Sequence, residues 1–481
     1  MLTRTSTQSL TGQLADRLAE RIRTRLLPPG ARLPSVRECA RQQGVSPYTV
    51  VAAYDQLLAQ GLVEARRQRG FYVRDSAPVQ DGRPNHGADA GGASGMPAAM
   101  AVQMMASRIP ADASSLIRSM FHRPSDKPQP GMGVFPPDWM SSTFMPTAVR
   151  RMTSTAALQE LSLQYGEPAG DMSLRRSLSQ KLVGINVPAS PDQIVTTIGA
   201  THALDIVSRT LLRAGDPVMV EEPGWALEFA RLEALGMRIL PVPRRADGPD
   251  LEVMAQYCAL HQPKLFVSVS VLHNPTGYSL TPGSAHRVLK LANEYDFHIV
   301  EDDTYSHLAP EHATRLSALD GLQRTIYVSG FAKILAPNWR IGFLAAPPAL
   351  KERLLETKLL ATLTSPTLFE RALSWCIDQG QLRRHSERVR IRLDGARGRA
   401  VKLAMSHGCT FASEPAGLFG WVDTGVDTDA LTQRMLDQGY LLAPGSLFHA
   451  RRPPSTMMRI NFATSQDATF WKVFSKVRSE L

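Results

Sequence analysis

Near the start of the chain an apolar residue returns at every fourth position: Leu10, Leu14, Leu18, Ile22 and Leu26. This spacing predicts a helix over 9–26 with one buried stripe, ended by Pro28-Pro29-Gly30. Ser35 and Glu38 stand three apart, the spacing at which two side chains satisfy orphan amides at a helix start. A second helix is therefore predicted from there to about Gln43, closed by Gly44. Ser46-Pro47 opens a third, with serine as the cap and proline at the first position, where its missing N–H costs nothing. Val50, Ala53, Tyr54, Leu57 and Leu58 form its apolar face, and Gly61 stops it. Leu62 to Val73 reads as a small hairpin with Arg66, Arg67, Gln68, Arg69 and Gly70 at its tip. Periodicity then disappears. Residues 76–98 are rich in Gly, Ala, Pro and Asp, which predicts a flexible linker over 76–109; the roughly two dozen residues of 76–98 alone would reach ~25–30 Å as a random coil. From residue 110 onward, short apolar runs alternate with amphipathic segments. The runs are 195–198, 218–220, 265–271, 298–300 and 326–328. The alternation predicts an α/β domain over 110–481 with a mostly parallel sheet, and a smaller α+β lobe from about 381.

Length and charge sharpen this picture. A chain of 481 residues is too long for one ordinary core. No apolar run approaches the ~20 residues needed to span a bilayer, and the polar start lacks a signal-peptide stretch. The expectation is a cytoplasmic, nucleoid-associated protein with no membrane partner. Cys39, Cys258, Cys376 and Cys409 are scattered without metal or disulfide spacing, and read as small buried hydrophobes. The formal net charge is +10, and residues 1–75 hold 12 Arg, no Lys and 6 acidic residues. That concentration points to a polyanion, with double-stranded DNA the obvious one. Three short helices and a basic hairpin make a winged helix-turn-helix over 8–75. Its third helix would present Ser46, Tyr48 and Thr49 to the major groove. Arg37, at the start of the second helix, and the wing residues Arg66, Arg67 and Arg69 would contact DNA from beside it. The run from Leu33 to Val73 resembles the GntR-type DNA-binding domain throughout. It departs at Pro47, where that family usually carries arginine, so a phosphate or base contact is expected to be missing.

Further along come Asn274-Pro275-Thr276-Gly277, Asp302-Asp303-Thr304-Tyr305, Lys333 and Arg340, in that order. This ordered set resembles fold-type I pyridoxal 5′-phosphate (PLP) enzymes of the aminotransferase kind, and the whole chain resembles the MocR-type regulators of the GntR superfamily. The resemblance implies a role for each residue. Lys333 is the lysine that captures the cofactor aldehyde, which requires a depressed pKa. Asp302 keeps the pyridine nitrogen protonated, from the carboxyl end of a strand. Asn274 and Tyr305 hold the phenolic oxygen. Gly199, Ala200 and Thr201, at a helix start, and Arg340 hold the phosphate. Trp225 stacks on the ring. Tyr165 reaches the phosphate of a neighbouring subunit, which implies a homodimer. Arg459 grips an α-carboxylate.

The sequence departs from the family pattern at Ala332 and Gly330, where serines are common, with Ser329 as a substitute phosphate ligand from another angle. Leu227 stands where some relatives place a charged ligand contact. An arginine run over 383–399 reads as a solvated helix paired with Glu387 and Asp394, with a second DNA surface as the alternative. Two functions fit. One is a DNA-binding, PLP-dependent transcription regulator that senses an amino acid, an amine or PLP through aldimine chemistry, with at most weak transaminase activity. The other is an aminotransferase carrying a DNA-binding appendage. Architecture favours the regulator, because a metabolic transaminase has no obvious use for a DNA-binding module.

Overall fold

The computed structural model describes residues 9–23, 27–66, 70–74, 125–141, 144–153, 158–159, 163–335 and 337–481. The chain divides into two compact units, 1–123 and 124–481. The expected linker lies outside the described residues.

In the first unit, helix α1 (Leu10–Arg23) buries Leu14, Leu18 and Ile22 as its spacing predicts, together with Ala15 and Ala19. Helix α2 (Val36–Gln43) begins at Ser35, whose Oγ accepts from the Glu38 amide at 3.3 Å, and ends at Gly44 in the left-handed conformation, φ 66°. Only half of the capping box forms: the Glu38 carboxylate accepts instead from Gln42 Nε2 at 3.5 Å. Helix α3 (Pro47–Ala59) starts from Ser46, which accepts from the Thr49 amide at 3.1 Å. Strands β1 (Val63–Arg66) and β2 (Gly70–Val73) pair antiparallel, with Val63 opposite Val73 and Arg66 opposite Gly70. Tyr54 holds the three parts together. Its ring is fully buried and meets Phe71 of the hairpin edge-on at 4.9 Å, and its hydroxyl donates to Pro34 O at 2.9 Å. Val50, Ala53 and Leu57, on the same face, are also fully buried.

The second unit is built on an eight-stranded sheet. In chain order its strands are β3 (Ile194–Thr197), β4 (Pro217–Glu222), β5 (Arg238–Arg245), β6 (Gly248–Pro249), β7 (Leu265–Ser268), β8 (His298–Asp302), β9 (Thr325–Gly330) and β10 (Gly342–Ala345). The spatial order is β3-β10-β9-β8-β7-β4-β5-β6. The run β9-β8-β7-β4-β5 is parallel, whereas β10 opposes both of its neighbours and β6 opposes β5. β7 and β9 are buried along their whole length and β8 over its three middle residues, which explains their continuous apolar runs. The apolar run 265–271 gives a strand only to Ser268, because the next amide, Val269 N, donates to the Glu221 carboxylate of β4 at 2.8 Å. Helix α4 (Ala200–Leu211) follows β3 and helix α5 (Ala226–Ala234) follows β4.

A long helix, α6 (Gln381–Ser406), leads to a four-stranded antiparallel sheet in the order β11 (Thr410–Phe411), β12 (Phe419–Asp423), β14 (Met457–Asn461), β13 (Ala443–Pro444). The arginine run lies on α6. Arg397 pairs with Asp394 at 2.7 Å and Arg392 with Asp138 at 2.5 Å, while Val389, Leu393, Ala396 and Ala400 face the core. The smaller sheet is tied to the large one where Gly224 N donates to Phe448 O and Ala450 N to the Glu222 carboxylate, both at 2.8 Å. All four cysteines are buried. Among the described residues no helix is long and apolar enough to cross a membrane.

Leu57→Ala should leave a cavity under α3 and destabilise the first unit by about 2–5 kcal/mol. Calorimetry of the full chain should show that unit's transition lowered, with the transition of the larger unit unmoved.

Candidate functional site

Asp302 ends β8, and Lys333 lies in the turn just after β9. Both therefore stand at the carboxyl edge of parallel strands, where open α/β sheets bind ligands. Lys333 Nζ donates to Gly133 O at 2.8 Å. Burial lowers its pKa to about 8, the nearby Arg459 guanidinium pushes the same way, and Asp302 partly offsets both. Asp302 Oδ1 accepts from the Thr304 amide at 3.0 Å and from the Thr304 hydroxyl at 2.5 Å. Burial raises its carboxyl to about 6, against those bonds, and Glu228 adds a smaller push upward. Among the described residues no cation forms an ion pair with it.

Asn274 lies within a turn locked by Gly277 N donating to His273 O at 2.6 Å and by His273 Nδ1 against Thr276 Oγ1 at 2.9 Å. Its Oδ1 accepts from Arg459 Nη1 at 3.0 Å, which leaves its amide nitrogen as a donor. The Tyr305 ring is buried edge-on to Phe419 at 5.5 Å, and burial raises its hydroxyl pKa, so the phenol keeps its proton. Arg459, on β14, is 4% exposed; it lies over Phe419 at 4.4 Å and Phe448 at 5.1 Å, and donates to Gly131 O at 2.6 Å. Its Nε has no partner, and burial lowers its pKa to about 10.

The phosphate-type cradle is set by one glycine. Gly199 has φ 83° and precedes α4 without a side-chain cap. A Cβ there would stand 2.6 Å from Arg340 Nη2. The guanidinium thus lies against the first turn of α4, where helix geometry leaves the Ala200 and Thr201 amides without an intrahelical partner, while the Gly199 amide donates to Thr197 O at 2.9 Å. Arg340 Nη2 also donates to Ile198 O at 3.1 Å. Gly330 lies on the opposite wall, where a Cβ would be 3.3 Å from Ala200 N. A serine there would add a hydroxyl to the cradle; this chain has none at that position. Ser329 does not replace it, since its hydroxyl donates to Asp303 O at 2.9 Å.

Trp225, partly buried, caps α5 beyond the carboxyl end of β4. Tyr165 is 83% exposed and touches none of these groups within the chain. The structure thus brings together Lys333, Asp302, Asn274, Tyr305, Arg459, Arg340 and the start of α4. Three contributors escaped sequence reasoning: the carbonyls of Gly131 and Gly133, and the Phe419 and Phe448 rings against Arg459. Two glycines acting through backbone oxygens leave no side-chain signal. The fit to PLP is good: a capless helix start with an arginine for a phosphate, a half-buried carboxylate with no cation paired to it among the described residues for a pyridine nitrogen, and a lysine of lowered pKa for an aldehyde.

In the first unit, Tyr48 is 82% exposed, and Arg37 and Ser46 are exposed. Arg66 lies over the Tyr72 ring at 4.4 Å and pairs with Glu64 at 2.8 Å. Arg67 and Arg69 lie outside the described residues.

Comparison with known proteins finds the family model of class I and II aminotransferases over residues 132–476, and that of the gntR family of bacterial regulatory proteins over 10–73. The chain is 28% identical over 461 residues to the uncharacterized HTH-type transcriptional regulator YdcR of Escherichia coli, covering 94% of each chain. It is 27% identical to the probable rhizopine catabolism regulatory protein MocR of Rhizobium meliloti, over 97% of this chain and 92% of that one. Among solved structures, kynurenine aminotransferase of Pyrococcus horikoshii matches with a TM-score of 0.69 at 25% identity, over 79% of this chain and 96% of that one.

The elevated Asp302 carboxyl makes a stability prediction. Its folded pKa of about 6 lies above the ordinary 3.8, so its protonation stabilises the cofactor-free protein fully below about pH 4, and that contribution is lost as pH rises through about 6. Asp302→Asn should therefore raise the melting temperature of the cofactor-free protein above pH 6, relative to wild type, and weaken PLP uptake at the same pH. Equal melting at pH 8 would refute this. Gly199→Ala should lower PLP affinity at least tenfold, read by dialysis.

Proposed function

The chain belongs to the class I and II aminotransferase family and carries a gntR-family DNA-binding domain ahead of it; on that premise we propose that it is a transcription regulator whose aminotransferase-like domain senses an amino acid, an amine or PLP. The observation that carries the reading is the pairing of a helix-turn-helix with a complete set of cofactor-type residues in one chain. Relatives matched over nearly their whole length carry regulator names, which supports it.

PLP is the family's cofactor; when bound it supplies an aldehyde that captures amines and a ring that withdraws electrons. Lys333 would hold that aldehyde, its pKa of about 8 leaving a useful fraction of neutral amine near pH 7. Asp302 would pair with the ring nitrogen. Arg340 and the first turn of α4 would take the phosphate. Asn274 Nδ2 and the Tyr305 hydroxyl would both donate to the phenolic oxygen, and Trp225 would stack on the ring. Arg459, with its Nε unpartnered, would receive an effector carboxylate. Tyr165, exposed in the single chain, would be covered by a second copy in a homodimer. Binding shifts the regulator only by its differential affinity for two conformations. Arg459 sits on the small sheet and its partner Asn274 in the turn that follows β7 of the large one, so a carboxylate there would bias how the two sheets close. The alternative, a working aminotransferase, draws on the same Lys333, which could also move a proton as a general base.

DNA binding by the full chain, measured with and without a panel of amines and amino acids, tests the proposal. Lys333→Ala should abolish the visible absorption band of the bound cofactor and the effector response, while basal DNA binding persists. Sustained turnover of an amino acid and a keto acid, with no effect on DNA binding, would favour the enzyme instead. Arg37→Ala should weaken binding to all duplexes alike and reduce the slope of log affinity against log salt by about 1.

A further inference from the structure

Helices that read the major groove commonly identify guanine with a bidentate arginine or lysine, and adenine with asparagine or glutamine. Helix α3 has none of these in its first two turns. From Pro47 to Ala59 it contains no Lys, Arg or Asn, and its single Gln, Gln56, stands in the third turn. The hydroxyls at its start are turned to local work. Ser46 Oγ accepts from the Thr49 amide at 3.1 Å and lies 2.8 Å from Thr49 Oγ1. Pro47 has no donor at all. What projects from its first two turns is a tyrosine ring with a single hydroxyl and a valine: Tyr48 is 82% exposed and Val51 40%. Three residues apart, they share one helix face. Asp55 continues that face one turn on; its carboxylate repels phosphate.

The apolar feature of the major groove is the thymine C5-methyl group. Resting on the DNA-binding reading above, we infer that α3 selects its operator through thymine methyls, with the Tyr48 ring and the Val51 methyls packed against T·A pairs in each half-site. Cations at the periphery, among them the exposed Arg37 and Arg41 of α2, supply affinity without reading sequence.

The test begins with selection of bound duplexes from a random pool by the full, cofactor-loaded chain. The half-sites recovered should carry thymine at two or three fixed positions. Replacing each of these thymines by deoxyuridine removes one methyl and should weaken binding about fourfold per position, as expected for burying one methyl-sized group. In Tyr48→Ala/Val51→Ala, thymine and deoxyuridine duplexes should bind equally. Fixed guanines that cannot be replaced by 7-deazaguanine, with no response to deoxyuridine, would overturn the inference and leave DNA binding itself intact. So would a double variant that loses self-association while keeping its thymine dependence, which would assign the patch to a protein contact. Failure to retain any duplex would instead overturn the DNA-binding reading on which this one rests.

Discussion

Arg459 is buried with no carboxylate against it. Its guanidinium lies over Phe419 and Phe448 and, among the described residues, is bonded only to the neutral oxygens of Asn274 and Gly131, with Nε left over. A charge held this way is costly unless an anion completes it. Three distant stretches of the chain converge to hold it: the 125–135 segment, the turn after β7, and the small sheet. The same charge helps lower the Lys333 pKa. The site is therefore arranged around a buried cation, and these three stretches of the larger unit meet at it.

The departures from the family pattern fall on the phosphate side. Gly330 withdraws a hydroxyl from the cradle, and Ser329 is committed to the backbone of β8. Arg340 and the capless start of α4 remain. Lys333 and Asp302 are untouched by these changes, so under the proposed function capture of the aldehyde would be kept where the grip on the phosphate would be reduced.

Much of the architecture was legible beforehand, because its causes are local. Caps at Ser35 and Ser46, the stripe of α1 and the apolar face of α3 are written in short-range spacing. Strand-length apolar runs marked β3, β4, β7, β8 and β9. β5 and β10 escaped notice: Arg238–Arg245 carries three arginines and two prolines, and Gly342–Ala345 is only four residues long. β7 stops short of its apolar run because a carboxylate one strand away captures the next amide, a tertiary cause with no local signature. In the site, the polar side chains of Asn274, Asp302, Tyr305, Lys333, Arg340 and Arg459 were read from the sequence, whereas Phe419 and Phe448, ordinary core residues by their local pattern, were not. Nor were Gly131 and Gly133, acting through carbonyl oxygens.

Helix α3 has a consequence for how the protein behaves as ionic strength changes. A helix without cations displaces no condensed counterions, so its share of the binding free energy is nearly indifferent to salt. On the reading inferred for α3, the grip would lie with the arginines around it and would loosen as salt rises. Occupancy and discrimination would then be carried by different atoms, and a rise in ionic strength would thin the bound population without blurring which sites are chosen.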